Sequence, residues 1–281
     1  MKIAVLGATG MAGHVISQYF KDLHCDVYET SRSIRESEKA KAIDACDTEC
    51  LVKWLNAIEP DVIVNAIGLL QRACAERPDL AIKINSYLPQ RLAFCFKDTS
   101  AKIIHLSTDC VFSGANAPYE ENSFRDGDTL YDRTKALGEI INSKDLTFRM
   151  SIIGPDIDPQ GTGLFNWFCA QTGKIGGYSK AFWNGITTIE LAKAIEKAIE
   201  AKLIGLYHLV PQKNISKYDL IILFKKYFDR QQLEIYRDDS FSIDKTLKNT
   251  RADFKYYIPA YDEMIEEMAE WIKKHRDMYW F

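Results

Sequence analysis

A short apolar run, Ile3–Leu6, passes without a break into Gly7-Ala8-Thr9-Gly10-Met11-Ala12-Gly13, and a helical pattern starts inside that segment at Met11. A strand that turns at once into a helix through three glycines leaves few options for the chain. Glycine permits a sharp reversal and lets backbone N–H groups come close to a ligand, while the helix that follows aims its N-terminus at the same point. The GxxGxxG spacing therefore points to a βαβ unit whose turn receives an anion, the pyrophosphate of a dinucleotide being the usual one.

The rest of the first half repeats the alternation. Apolar, strand-like runs recur at Asp26–Glu29, Val62–Asn65, Lys102–Ser107 and Leu146–Arg149. Helical patterns lie between them at Met11–Leu23, Thr48–Ile58 (closed by Pro60), Leu80–Phe96 and Tyr131–Ile141. Short, fully apolar strands separated by helices predict an α/β fold of the Rossmann type, a doubly wound parallel sheet covered on both faces. After Arg149 the pattern loosens. The stretch 154–163 reads as loop, a helix capped at Thr188 runs to Ala201, Gly205–Val210 reads as a buried strand, Ser216 caps a helix to Phe228, and an amphipathic helix spans about Asp262–Lys274. The expected division is a nucleotide-binding domain of residues 1–153 and 187–211, with a smaller C-terminal substrate lobe of residues 154–186 and 212–281.

Composition narrows the function classes. A net charge of −3 gives no broad attraction to nucleic acid. No apolar stretch is long enough to span a bilayer, and the glycines interrupt the weakly signal-like start, so a cytoplasmic protein without membrane association is expected. Seven cysteines, an odd number with no CxxC pair, read as reduced thiols, and no metal site is expected.

Around the glycine turn, candidate cofactor contacts are Gly7, Thr9, Gly10 and Met11. A dinucleotide fold commonly ends its second strand in an acid that holds the ribose 2′-OH. If this strand runs to Thr30, its tip carries Ser31 and Arg32 instead, which suit a 2′-phosphate and favour NADPH, with NADH as the alternative. Asp44 and Ala45, placed to flank an adenine, and Asn65, Ala66 and Ile67, at the end of the third long strand, complete the expected cofactor cleft.

Tyr131 and Lys135 form a YxxxK pair, and Tyr131 is the only tyrosine with a lysine four residues on. That spacing puts both on one helix face, where an ammonium would lower the phenol's pKa and could hold a nicotinamide ribose. Thr108, in Leu106-Ser107-Thr108-Asp109 at the end of a strand, can orient a substrate carbonyl.

With these motifs in this order, the sequence resembles the extended short-chain dehydrogenase/reductases, and among them the dTDP-4-dehydrorhamnose reductase (RmlD-like) group. The resemblance rests on GATGMAG at 7–13, NAIG at 65–68, INSYLPQRLA at 84–93, HLSTDCVFSG at 105–114, YDRTKALGE at 131–139, FRMSIIG at 148–154 and GITTIELAKAI at 185–195. It implies a catalytic triad of Thr108, Tyr131 and Lys135, a supporting role for Asn85, and NADPH- or NADH-dependent reduction of the C4 ketone of a nucleotide-linked 6-deoxyhexulose, for surface polysaccharide precursors. The substrate would meet Thr108, Asp109, Cys110, Tyr131, Lys174 and Trp183, with Lys180 as a further candidate cation. Cys110 stands where the group often has an aromatic, and the segment 165–183 departs from a dTDP-rhamnose enzyme, so UDP-linked sugars are equally open. Two alternatives stand beside this reading. An epimerase or dehydratase of the same fold is disfavoured because no acid follows Asp109 before Glu120. A non-catalytic NAD(P)-binding regulatory subunit is disfavoured by the intact Tyr131 and Lys135. Any self-association is expected to be a homodimer.

Overall fold

The computed structural model describes residues 1–281. Its centre is a sheet of seven parallel strands: β1 (Lys2–Leu6), β2 (Asp26–Ser31), β3 (Ala40–Ala42), β4 (Val62–Asn65), β5 (Lys102–Leu106), β6 (Leu146–Arg149) and a last strand, Gly205–His208. From one edge the spatial order is Gly205–His208, β6, β5, β4, β1, β2, β3. The direction of winding reverses between β1 and β4, and a doubly wound sheet opens a ligand crevice at that point, outside the C-terminal strand ends.

The side chains show why the strands are apolar on both faces. Ile3, Val5, Val62, Val64 and Ile104 enter one buried cluster, under the helices Met11–Asp22 and Thr188–Glu200. Ala4, Leu6, Ile63 and Ile103 enter another, under the helices Thr48–Ile58 and Leu88–Cys95. Successive residues of one strand thus feed opposite layers.

The turn after β1 is a steric necessity. Gly7 sits at φ +82°, and a Cβ on Gly13 would lie 2.1 Å from the Gly7 carbonyl oxygen. Only glycine lets the helix start so close to the strand end.

Beyond β6 lie β7 (Ile152–Ile153), β8 (Lys174–Trp183) and β9 (Ile186–Thr187); the last strand of the main sheet is β10. They are followed by β11 (Ile215–Ser216) and β12 (Glu234–Asp244). β8 lies between antiparallel β11 and parallel β12 in a separate sheet, and β7 pairs with β9. The helix Lys217–Tyr227 covers one face of β8. The main core is continuous from the large sheet into this lobe, taking in Phe165, Phe168, Ile175, Trp183, Leu220, Phe224, Met264 and Met268. The C-terminal helix Tyr261–Lys274 belongs to it, and Tyr279 beyond that helix reaches back to His14, whose Nε2 lies 3.1 Å from the Tyr279 hydroxyl. No helix is long and apolar enough to cross a membrane.

Three local expectations change. The helix expected over 80–96 begins at Pro78 and widens to a π-turn at Ile82–Tyr87 before Leu88–Cys95. Pro89 has no N–H to donate to the Asn85 carbonyl four residues back, which removes an α-helical bond at that place. β8 and β12 were not foreseen, because β8 uses glycine on its inward face: a Cβ on Gly177 would lie 2.7 Å from Ile221 Cδ1. The cap of Thr188–Glu200 is Thr187, whose Oγ1 accepts the Glu190 N–H at 3.2 Å; Thr188 is instead buried against Gly154.

A buried charge cluster ties β5, β6 and β10 together behind the helix Leu130–Gly138. Arg149, 1% exposed, donates through Nε and Nη2 to both oxygens of Glu139, at 2.7 Å each. Glu139 also accepts from Ser107 Oγ (2.8 Å) and Arg125 Nη1 (3.0 Å), and Arg149 Nη1 lies 2.8 Å from His208 Nε2. Burial works to raise the Glu139 pKa, but the hydrogen bond and charge of Arg149, with Ser107 and Arg125, hold it below the usual carboxylate value.

Two stability outcomes are expected in urea titrations. Glu139→Gln leaves Arg149 buried without its counter-charge and should cost about 3–5 kcal/mol. In the wild type the contribution of ionised Glu139 is complete above the ordinary glutamate pKa of about 4.3 and is lost as pH falls through its depressed folded-state value, a dependence absent from Glu139→Gln. Gly13→Ala, which drives a methyl group into the Gly7 carbonyl, should cost about 3 kcal/mol; wild-type stability for that variant would contradict the close approach.

Candidate active site

The sheet brings the sequence motifs together at its C-terminal edge. The helix Leu130–Gly138 is set by a capping box: Thr129 Oγ1 accepts the Asp132 N–H at 3.1 Å, and Asp132 Oδ2 accepts the Thr129 N–H at 3.3 Å. Its approach to the π-turn is as close as chemistry permits, since a Cβ on Gly138 would lie 1.9 Å from the Asn85 carbonyl oxygen. Tyr131 and Lys135 project from this helix toward the end of β5. The Lys135 ammonium donates to the Leu106 carbonyl at 2.7 Å. The Thr108 side chain faces the Tyr131 phenol and works to lower its pKa. Thr108 Oγ1 accepts the Cys110 N–H and donates to Asp109 Oδ1, both at 3.1 Å.

The electrostatics refine the sequence expectation. Burial pushes the Tyr131 pKa up, assisted by Cys110 and opposed by Thr108. Lys135 is itself brought down to about 8 by burial, against the pull of Glu139 and Cys74. Burial therefore favours the protonated phenol, and the lysine is anchored on a backbone carbonyl. Cys110 is pushed up to about 12 by burial and by Asp109, so it presents a neutral thiol. Burial likewise raises Asp109, against the charge of Lys217.

Asn85 is buried and holds the neighbouring loop. Its Oδ1 accepts the Leu69 N–H at 2.8 Å and its Nδ2 donates to the Leu69 carbonyl at 3.0 Å. Gly68, in that loop, lies beside Lys135, and even a Cβ there would be 4.0 Å from Nζ. This leaves room between the loop and the catalytic helix.

The expected cofactor residues line the same crevice. The helix Met11–Asp22 has no side-chain cap and no acid in its first turn, and its first intrahelical bond is from His14 N–H to the Gly10 carbonyl. The N–H groups of Met11, Ala12 and Gly13 are left without helical partners, as an anion site requires. Ala66 packs against Gly7, and Ile67 is beside it. β2 runs to Ser31, whose buried hydroxyl has no partner, and Arg32 is exposed at the tip. The charges of Arg32 and Lys83 both reach Cys46, so the tip of β2 and the loop holding Asp44 and Ala45 share a basic rim. Asp44 is exposed with its Oδ1 accepting the Cys46 N–H at 2.8 Å, and Ala45 is buried. Asn65 Oδ1 accepts the Ile67 N–H and its Nδ2 contacts His105 Nδ1, both at 3.2 Å, which holds the turn after β4. A helix N-terminus with free donors, an orphaned hydroxyl at the β2 tip and a basic rim fit a dinucleotide carrying a 2′-phosphate.

The three distal substrate candidates, Trp183, Lys174 and Lys180, fall at different places along β8. Trp183 is buried at the end of β8 near the cleft, its Nε1 donating to Ser151 Oγ at 2.8 Å. Lys174 is at the other end of that strand, nine positions away or on the order of 30 Å. It is exposed and pairs with Glu234 at 2.7 Å. Lys180 is also on the surface, beside Asp239. Sequence reasoning passed over Lys217, which lies over the Trp183 ring with Nζ 4.6 Å from its centroid. A cation at the first position of a helix, where the backbone dipole disfavours it, was the available signal.

Comparisons with known proteins agree with this architecture. A curated relative from Haloferax volcanii, described as a "probable low-salt glycan biosynthesis reductase", is 25% identical over 228 residues, 76% of each chain. The methionine adenosyltransferase 2 subunit beta of Xenopus laevis is 24% identical over 230 residues, 77% of this chain and 69% of that one. Among solved structures, a dTDP-4-dehydrorhamnose reductase from Bacillus anthracis in complex with NADP superposes with TM-score 0.80 at 18% identity, covering 95% of this chain and 98% of that one. One from Clostridium acetobutylicum gives 0.77 at 21% identity over 97% and 100%. The family model described as the RmlD substrate binding domain matches residues 1–153, and the chain belongs to that family.

Proposed function

We propose that this protein is an NADPH-dependent reductase of a nucleotide-linked 4-keto-6-deoxy sugar, serving the synthesis of surface polysaccharide precursors. The observation that carries this reading is the convergence of Thr108, Tyr131 and Lys135 at the end of β5, next to an uncapped helix N-terminus behind the Gly7 turn. The family and the named relatives support the sugar-nucleotide class. NADPH when bound supplies the hydride for the carbonyl carbon.

The chain's residues do the rest. Thr108 hydrogen-bonds the ketone oxygen and places it within reach of the Tyr131 hydroxyl. As the C=O bond becomes C–O, the Tyr131 proton passes to that oxygen, giving the alcohol. Lys135, fixed on the Leu106 carbonyl, stabilises the phenolate left behind and offers its remaining protons to a ribose. Burial of the Tyr131 phenol keeps the proton in place until negative charge develops on the substrate.

The test is NADPH oxidation with dTDP- and UDP-linked 4-keto-6-deoxyhexoses, followed by mass analysis for a product two hydrogens heavier. Tyr131→Phe should lower turnover by about two to four orders of magnitude with NADPH affinity retained. Turnover of a simple free ketone, with no nucleotide-linked sugar reduced or bound, would refute the substrate class. Tight NADPH binding without reduction of any ketone would favour the regulatory-subunit reading; the Xenopus laevis relative is described as a subunit of a methionine adenosyltransferase.

Cofactor choice has its own test. Arg32→Ala should raise KM for NADPH about tenfold or more and leave KM for NADH nearly unchanged, because in this reading the guanidinium would pair with the 2′-phosphate that NADH lacks. Equal changes for both cofactors would remove Arg32 from that role.

A further inference from the structure

Lys217 stands apart from the other lysines of the lobe. It is half-buried at the first position of the helix Lys217–Tyr227, and its place is rigid. β11 pairs Ile215 and Ser216 with Trp183 and Phe182 at the end of β8, and Ser216 Oγ caps the helix by accepting the Asp219 N–H at 3.0 Å. The chain thus delivers Lys217 directly from a strand pairing into the cleft, over the Trp183 face.

The ammonium has no hydrogen bond and no carboxylate within ion-pairing distance. Its electrostatic neighbours are Asp109 and Cys110, the two residues after Thr108. Asp109 is engaged by the Thr108 hydroxyl and does not close the gap. Lys245, from the segment after β12, adds a second positive charge on Asp109 and Cys110. Burial brings the Lys217 pKa down to about 8, and the N-terminal end of its own helix adds further positive potential. A half-buried cation on a helix N-terminus, unpaired and facing a catalytic loop, is an unfavourable arrangement for an empty protein; a ligand anion relieves it.

We propose that Lys217 is the anion anchor of the substrate pocket: its ammonium binds a phosphate or carboxylate of the substrate and so fixes the sugar against Thr108 and Tyr131. The proposal deepens the reductase reading and rests on it for the identity of the sugar. In the proposed 6-deoxy substrate the anion is the diphosphate on the anomeric carbon; a ring carboxylate belongs to a uronic acid instead, and binding through it would keep the anchor and replace the sugar. Trp183 supplies the apolar face beneath the ammonium.

The experiment is calorimetric titration of the NADP-saturated full-length protein with UDP, dTDP, UDP-glucose, UDP-glucuronate, inorganic pyrophosphate and free glucuronate. Wild type is compared with Lys217→Met, which keeps the stem packed on Trp183, with Lys217→Arg, which keeps the charge, and with Lys226→Gln, a surface lysine of the same helix. A diphosphate anchor predicts that Lys217→Met weakens UDP, dTDP and both UDP sugars by about tenfold or more. A carboxylate anchor predicts that UDP-glucuronate binds more tightly than UDP-glucose and that Lys217→Met abolishes only this advantage. In either case Lys217→Arg restores most of the affinity, while Lys226→Gln and the affinity for NADPH do not change. Equal binding of every anion by wild type and Lys217→Met overturns the proposal, as does a loss in Lys217→Met that extends to NADPH and to thermal stability. Lys217-dependent binding of pyrophosphate or glucuronate without binding of any nucleotide sugar would leave the anchor standing and sink the sugar reading.

Discussion

The contact on which the molecule turns is the approach of Gly13 to the Gly7 carbonyl, at a distance no side chain could share. It brings the first helix down onto the end of β1 and leaves the unpaired N–H groups of Met11, Ala12 and Gly13 at the reversal point of the sheet. The same close packing recurs at the catalytic helix, where Gly138 meets the Asn85 carbonyl. Two glycine contacts, one on each side of the crevice, therefore set the separation between the anion-binding turn and the Tyr131–Lys135 face.

Polar groups behind the crevice are organised to keep that geometry. Asn85 holds the 67–69 loop by both ends of its amide, and Lys135 rests on Leu106. Glu139, one residue past the catalytic helix, locks Arg149 at the end of β6 and Ser107 beside Thr108. Thr108, Tyr131 and Lys135 are thus mounted at a strand end and on a helix whose C-terminal side is pinned by a bidentate ion pair. Such a frame restricts the drift of Tyr131 relative to Thr108 to small side-chain motions.

Much of this was legible in the sequence because it follows from local rules. The apolar strands, the glycine turn and the four-residue Tyr131–Lys135 spacing each carry their structure in a few consecutive residues. What stayed hidden depended on partners distant in the chain. β8 reads as irregular until Gly177 is seen under Tyr218 and Ile221. The π-turn at Asn85 reads as plain helix unless Pro89 is taken together with the approach of Gly138. The contacts of the Asn65 amide with Ile67 and His105 were likewise not readable from its position in the strand. Lys174 and Trp183 sit in the same strand, and only its extended geometry shows that one is at the cleft and the other is not. Spacing alone does not reveal the burial that pushes the Tyr131 pKa up.

The core that runs unbroken from the large sheet into the lobe has a consequence for how such a protein can change its ligand. Phe165, Phe224 and Met268 share one apolar interior with Val5 and Ile104, and Tyr279 closes on His14 from the far end of the chain. The lobe is not a detachable module hinged on a linker: a chain ending at residue 153 would expose the face of the sheet that the helix Thr188–Glu200 and the later segments cover. Swinging the lobe as a rigid body would shear packed side chains, so entry and exit fall to the loops and side chains at the mouth of the crevice. Divergence toward new substrates in a scaffold of this kind proceeds by point replacements along the rim, with the interior inherited whole.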